Sequence, residues 1–293
     1  MRQQSSPALS LFMLASVFVT PCMLHAQVSG AASDERTDSS ASLVAAHAPT
    51  FSLETLNGAL ERYRKAGNRA GEAHALGAIA HLYKDQNQQQ KAVEIYQSAL
   101  AIWRELDNKE LEAITLAHIG NVYREWRFPE QAKHFYIDAL KKYPANSDKS
   151  QEAAILNNLG MAYFGLRDRK KSLECFDKAL AEYRVRQDRQ GEAFALTNLG
   201  STYAFLVNDP QKALDYFQQA LTKLELLNDR ANEANTLELM GNVWVKLQKR
   251  DMAVQSFQRS LFLYSRLGNA EGEASVRKQM RTATDPEARD GGH

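Results

Sequence analysis

Seven histidines and two cysteines are the residues of this 293-residue chain best suited to metal binding or nucleophilic chemistry. His74 and His81 stand seven apart, two helical turns, so a helix would place them on one face. His118, on a neighbouring helix, would bring a third imidazole, and three imidazoles can hold a zinc-type ion. No carboxylate or cysteine is spaced to complete that site, so solvated histidines, His134 included, are the preferred reading. Cys22 and Cys175 are too few for a disulfide scaffold, and Cys175 reads as a small buried hydrophobe. A glutamate recurs at 72, 112, 152, 192, 233 and 273, too far apart along the chain to act as an acid–base pair. There is no glycine-rich phosphate loop, no GxSxG, no HExxH and no CxxC. The expectation is a non-enzymatic protein with no catalytic residue, cofactor or metal.

The same glutamates show what positions everything else. Each is followed by Ala, and the Glu-Ala pairs are separated by 40, 40, 40, 41 and 40 residues. The single 41 is assigned to an extra residue at the turn near Asn208-Asp209-Pro210. Four residues before each Glu stands Asn68, Asn108, Asp148, Asp188, Asp229 or Asn269, suited to a cap or a left-handed turn between helices. Eight residues after it come Ala80, Gly120, Gly160, Gly200 and Gly241, and three further on Tyr83, Tyr123, Tyr163, Tyr203 and Trp244. A second segment carries Ala92, Ala132, Ser172, Ala213 and Ala253, then Tyr96, Tyr136, Phe176, Phe217 and Phe257. Apolar residues three and four apart make one face of a helix, so each unit is an antiparallel helix pair. Small residues let the two axes approach, and the aromatics fill the space beside them. Pro129 and Pro210 stand where second helices should begin.

Gly120, Tyr123, Ala132, Tyr136, Ala139 and Pro144 stand in the spacing of the tetratricopeptide repeat (TPR), and the chain resembles that family over residues 51–282. The usual period is about 34. The longer form resembles the repeats of kinesin light chains and of bacterial proteins with an appended CHAT protease domain. The family's first-helix Trp is replaced by Leu76, Leu116, Leu156, Leu196 and Leu237. The resemblance implies an all-α, right-handed superhelical solenoid of about twelve helices. It reads as a half repeat 51–67, repeats 70–107, 110–147, 150–187, 190–228 and 231–267, and a capping helix 270–282.

The resemblance also implies a concave groove lined by first helices, in which a peptide or protein segment is held. The groove positions here are His81, His118, Asn121, Arg124, Asn157, Asn158, Met161, Phe164, Phe194, Asn198, Phe205 and Asn242. Asn carries donors and an acceptor, so it can pair with a peptide backbone of any sequence. The asparagines are expected to be exposed, and Met161, Phe164, Phe194 and Phe205 to take apolar side chains. The rival is a structural, self-associating solenoid, or a regulatory subunit of a larger assembly, with the groove unused.

The ends read differently. Arg2, the apolar run Ala8–Thr20 and the small residue Ala26 form an export signal over 1–26, giving a periplasmic or extracellular protein. An N-terminal membrane anchor and a lipidated Cys22 are the alternatives. Residues 27–50 read as a flexible spacer and 283–293 as a disordered tail. With 36 basic and 35 acidic residues there is no electrostatic reason to expect nucleic acid. No membrane contact is expected after signal removal, and a monomer is favoured.

Overall fold

The computed structural model describes residues 52–145 and 147–284; the signal, the spacer and most of the tail lie outside them. The described residues form twelve α-helices, one π-helical stretch and no strand. Helix α1 is Leu53–Lys65. The pairs that follow are α2 (Arg69–Asp85) with α3 (Gln89–Glu105), and α4 (Lys109–Glu125) with α5 (Pro129–Lys142). Next come α6 (Lys149–Gly165) with α7 (Arg169–Val185), and α8 (Arg189–Thr202) with α9 (Pro210–Leu227). The last are α10 (Arg230–Lys246) with α11 (Arg250–Arg266), then α12 (Ala270–Thr284), which runs two residues past the expected cap.

The period is a matter of local geometry. Helices α2, α3 and α4 are each 17 residues long and are joined by three-residue turns, so helix, turn, helix and turn fill the 40-residue repeat. In most turns the middle residue is left-handed: Asn87, Asp107, Arg127, Arg167, Gln187 and Gln248, with Gly67 and Gly268 at the ends of the array. The recurrent Asn or Asp comes next and is the helix cap. Asn68 Oδ1 accepts from the Gly71 amide at 2.9 Å, and Asp188 Oδ1 from the Gly191 amide at 2.9 Å. Where α5 ends early, at Tyr143 in extended backbone, Pro144 follows and forbids the helical conformation before it.

The extra residue of the 41-residue repeat lies in a helix rather than in the turn. Tyr203–Val207 is π-helical, and the closing bond runs from the Asp209 amide to the Tyr203 carbonyl, six residues. At the other turns it spans five, as from Asp168 to Tyr163. A π-turn absorbs one insertion without ending the helix.

The helix crossings follow the small residues. A Cβ on Gly120 would stand 2.7 Å from the Tyr136 ring, one on Gly160 2.7 Å from Phe176, one on Gly200 2.6 Å from Phe217 and one on Gly241 2.4 Å from Phe257. A second crossing was not foreseen: Gly71, Gly191 and Gly272 lie against Tyr63, Tyr183 and Tyr264, each eight residues earlier.

The described chain forms two compact units, residues 52–151 and 152–284. The first has a core around Leu56, Leu60, Leu76, Ile79, Ile102 and Trp103. The second is built on Phe176, Leu196 and Leu199, and on Phe217, Leu237, Phe257 and Val276. Burying each such side chain contributes about 1.5–3 kcal/mol.

Candidate functional site

In the second unit, the first helices carry a buried polar seam. Asn198 Nδ2 on α8 donates to Asn157 Oδ1 on α6 at 3.1 Å. Thr197 Oγ1 lies 3.3 Å from Thr236 Oγ1 on α10, and Thr202 Oγ1 donates to the Asn198 carbonyl at 2.9 Å. Asn157 and Asn158 are 0% exposed and Asn198 is 1%. The expectation of exposed groove amides is therefore corrected for these three. Every residue of α8 from Gly191 to Thr202 is buried, so this helix has no solvent face. Met161, Phe164 and Phe194 are buried as well; they pack the interior instead of waiting for a ligand. Of the expected groove residues in this unit, Phe205 in the π-helical stretch is exposed (41%) and Asn242 on α10 is partly exposed.

Burial has left hydrogen-bonding atoms unspent. Asn157 Nδ2, Asn198 Oδ1 and Asn242 Nδ2 have no partner among the described residues. Each sits at a position where the repeat register faces the groove. Nearby, Glu238 of α10 accepts from Ser275 Oγ (2.7 Å), Gln279 Nε2 (2.6 Å) and Tyr264 Oη (3.2 Å). Burial raises its carboxyl above the usual range, although those three hydrogen bonds oppose the rise. Lys246 Nζ donates to the Ala204 carbonyl at 2.9 Å and so closes the π-helical stretch.

In the first unit, the expected residues split among separate contacts. His118 stacks on Tyr96 at 5.5 Å, and burial holds its imidazole down at about 4. His81 Nδ1 lies 3.0 Å from Asp85 Oδ2, while His74 stands edge-on to Trp103 at 4.8 Å. The three imidazoles thus have different neighbours. Among the described residues no group of three or more His, Cys, Asp or Glu is placed to hold a metal. Asn121 Oδ1 accepts from Tyr136 Oη at 2.6 Å. Arg124 approaches Glu125 at 3.4 Å, and its buried Nε has no partner among the described residues.

The recurrent glutamates do more than complement a helix dipole. Glu72 pairs with Arg64 at 3.0 Å and with Arg69, and hydrogen bonding to Arg64 leads the fall of its pKa below the carboxylate range. Glu112, almost wholly buried, meets Arg104 (3.0 Å), Lys142 (3.5 Å) and Lys109 (3.6 Å). Glu192 meets Lys223 at 2.6 Å, and Glu233 meets Arg230 at 2.7 Å and Arg259 at 3.6 Å. An Arg eight residues before Glu72 and before Glu112 was the available sequence signal. Cys175 is buried on α7, and burial pushes its thiol up to about 11, out of the nucleophilic range.

A family model described as tetratricopeptide repeat matches residues 41–105 and 151–226. Comparison with curated proteins gives no match. Among solved structures, aspartyl phosphate phosphatase F from Bacillus subtilis is similar with a TM-score of 0.68 and 14% identity, over 78% of this chain and 61% of that one. The Rap conjugation gene regulator of the plasmid pLS20, solved in complex with the Phr* peptide, gives 0.64 and 16%, over 76% and 62%. A putative kinesin light chain from Podosopora anserina, with nearly identical TPR-like repeats, gives 0.55 and 13%, over 72% and 98%. The chain spans about six tenths of the length of the phosphatase and of the Rap regulator.

Proposed function

The chain is a tetratricopeptide repeat protein, and from that premise we propose that it is an exported, non-catalytic scaffold holding an extended segment of a partner protein along its first helices. The observation that carries the proposal is the unspent amide of Asn242, at the partly exposed end of a row of such atoms. Asn157 Nδ2, Asn198 Oδ1 and Asn242 Nδ2 are donors and an acceptor without partners at groove positions of one unit. Buried polar groups are nearly always paired, and each exception asks for an explanation. A peptide backbone offers one C=O per residue, an acceptor of the kind the Asn242 amide lacks. Asn242, partly exposed on α10, is where a partner meets the first helices; Asn157 and Asn198, buried and bonded to each other, hold α6 against α8 behind that surface. The Rap regulator of similar fold was solved in complex with a peptide, which supports a peptide segment as the ligand here. Export rests on Arg2, the run Ala8–Thr20 and Ala26.

The test is affinity capture of the full chain from the exported fraction, followed by titration of the recovered partner against wild type and Asn242→Ala. One lost amide pair weakens binding by about 0.5–1.5 kcal/mol, two- to twelvefold. Unchanged affinity for Asn242→Ala, with loss on substitution of second-helix residues such as Gln219, would assign binding to the other face.

A further inference from the structure

The turns that join first to second helices in the second unit carry a concentration of positive charge that the Asn row does not use. Arg167, Arg169, Lys170 and Lys171 stand at the α6–α7 turn, Lys212 at the start of α9, and Lys249 and Arg250 at the α10–α11 turn. All seven are exposed. Because each pair is antiparallel, these three turns fall on the same edge of the unit. Three carboxylates lie among them, and two are committed: Asp168 Oδ1 accepts from the Lys171 amide and Asp209 Oδ1 from the Lys212 amide, each at 3.1 Å. Arg167, Arg169, Lys170, Lys249 and Arg250 make no ion pair with the described residues, whereas Arg230, Arg259 and Arg277 elsewhere in the unit are paired to Glu233, Glu225 and Glu273. In a chain whose charges nearly cancel, at 36 against 35, such a cluster is local segregation, not a reflection of composition.

Two further features sharpen the sign. The N-termini of α7, α9 and α11 all open at this edge, and each adds partial positive charge. Lys249, the residue before α11, makes no side-chain cap, so the first amides of that helix stay open. Lys171 and Lys212 lie over the rings of Tyr163 (5.2 Å) and Tyr203 (4.2 Å), which fixes them in register on successive pairs.

We propose that this edge is a second interaction surface, which binds an acidic stretch of a protein partner running across the three turns. The cations stand in groups separated by a helix pair, so a chain with carboxylates spread along it can reach each group. The exposed apolar residues beside them are Phe205 and Met252, too few to anchor in a bilayer. A nucleic acid would want a row of open aromatic faces for its bases; here the rings of Tyr163 and Tyr203 are covered by Lys171 and Lys212, and Phe205 is the exposed ring among these described turn residues. The assignment does not depend on the Asn row.

The test measures binding of a fluorescein-labelled twelve-residue oligoglutamate to the full chain at 50 and 200 mM NaCl. The triple variant Arg169→Glu, Lys170→Glu, Arg250→Glu should lose at least tenfold in affinity at low salt, and wild-type binding should weaken several-fold at the higher salt. Arg184→Glu, Arg189→Glu, Arg266→Glu, the same charge change at the opposite edge, should lose less than threefold. Circular dichroism confirms that each variant is folded. Equal losses for the two triple variants would overturn the proposal. Vesicles containing phosphatidylglycerol, or a single-stranded oligonucleotide, bound more tightly than oligoglutamate through the same residues would overturn it too.

Discussion

Gly160→Leu probes the packing rule on which the array depends. A Cβ at residue 160 would stand 2.7, 2.8 and 3.0 Å from three ring carbons of Phe176, where ordinary contact begins near 3.4 Å. Phe176 is 1% exposed and is backed by Ala179, Leu180 and Leu199, so the ring has no room to retreat. Overpacking of this kind costs about 1–3 kcal/mol, and Leu falls at the upper end because its branched tail follows the Cβ into the crossing. Replacing Gly inside a helix returns about 1 kcal/mol. The net loss is about 2 kcal/mol, a fall in Tm of about 4–8 °C for a domain of this size. Gly160→Ala brings the same Cβ without the branched tail, so it should destabilise too, but by less than Leu. Gly77→Ala, with nothing within 4 Å of the added carbon, should raise stability by about 0.5–1 kcal/mol. Thermal melts followed by circular dichroism report all three. A Tm for Gly160→Leu equal to that of wild type would show that the helices do not cross at that glycine.

Asn198→Ala should destabilise by about 1–3 kcal/mol in urea unfolding, because it strips a buried amide from Asn157 Oδ1; a neutral result would mean the amides are solvated after all. Glu72 and Glu112 have lowered folded pKa values, so their contribution is present above the unfolded carboxylate pKa and lost as pH falls through the folded value. Glu112→Gln should therefore be less stable than wild type at pH 7, and the gap should close below about pH 4. For His118 the unfolded state binds protons more readily than the folded one, so stability falls as pH drops from about 6.5 to about 4, and His118→Gln should flatten that slope. With Cys22→Ser, Cys175 should react slowly with a thiol reagent in the native protein and rapidly in urea; rapid native reaction would contradict its burial.

The architecture was legible because it is written many times. One helix pair has little signal, but Gly120, Gly160, Gly200 and Gly241 facing Tyr136, Phe176, Phe217 and Phe257 repeat a single steric solution. The Gly71–Tyr63, Gly191–Tyr183 and Gly272–Tyr264 crossings were missed because they alternate with other residues and so leave gaps in the pattern. The insertion was traced to the right neighbourhood, but periodicity alone cannot separate a longer turn from a π-turn. The candidate site was read least well. Repeat register gives the direction of a side chain, not the depth at which it ends, and Asn157, Asn198 and Phe194 end inside. The cations of the α6–α7 and α10–α11 turns passed unnoticed because the total charge cancels.

The central claim is that a partner protein lies on the first helices of the second unit. Photo-crosslinking in cells tests it most directly, with a photoreactive amino acid placed at Phe205 or Asn242 on that face, or at Gln219 or Lys178 on second helices. The account predicts a discrete protein adduct from Phe205 and Asn242, identified by mass spectrometry, and none from the other two. Adducts from Gln219 and Lys178 alone would contradict it.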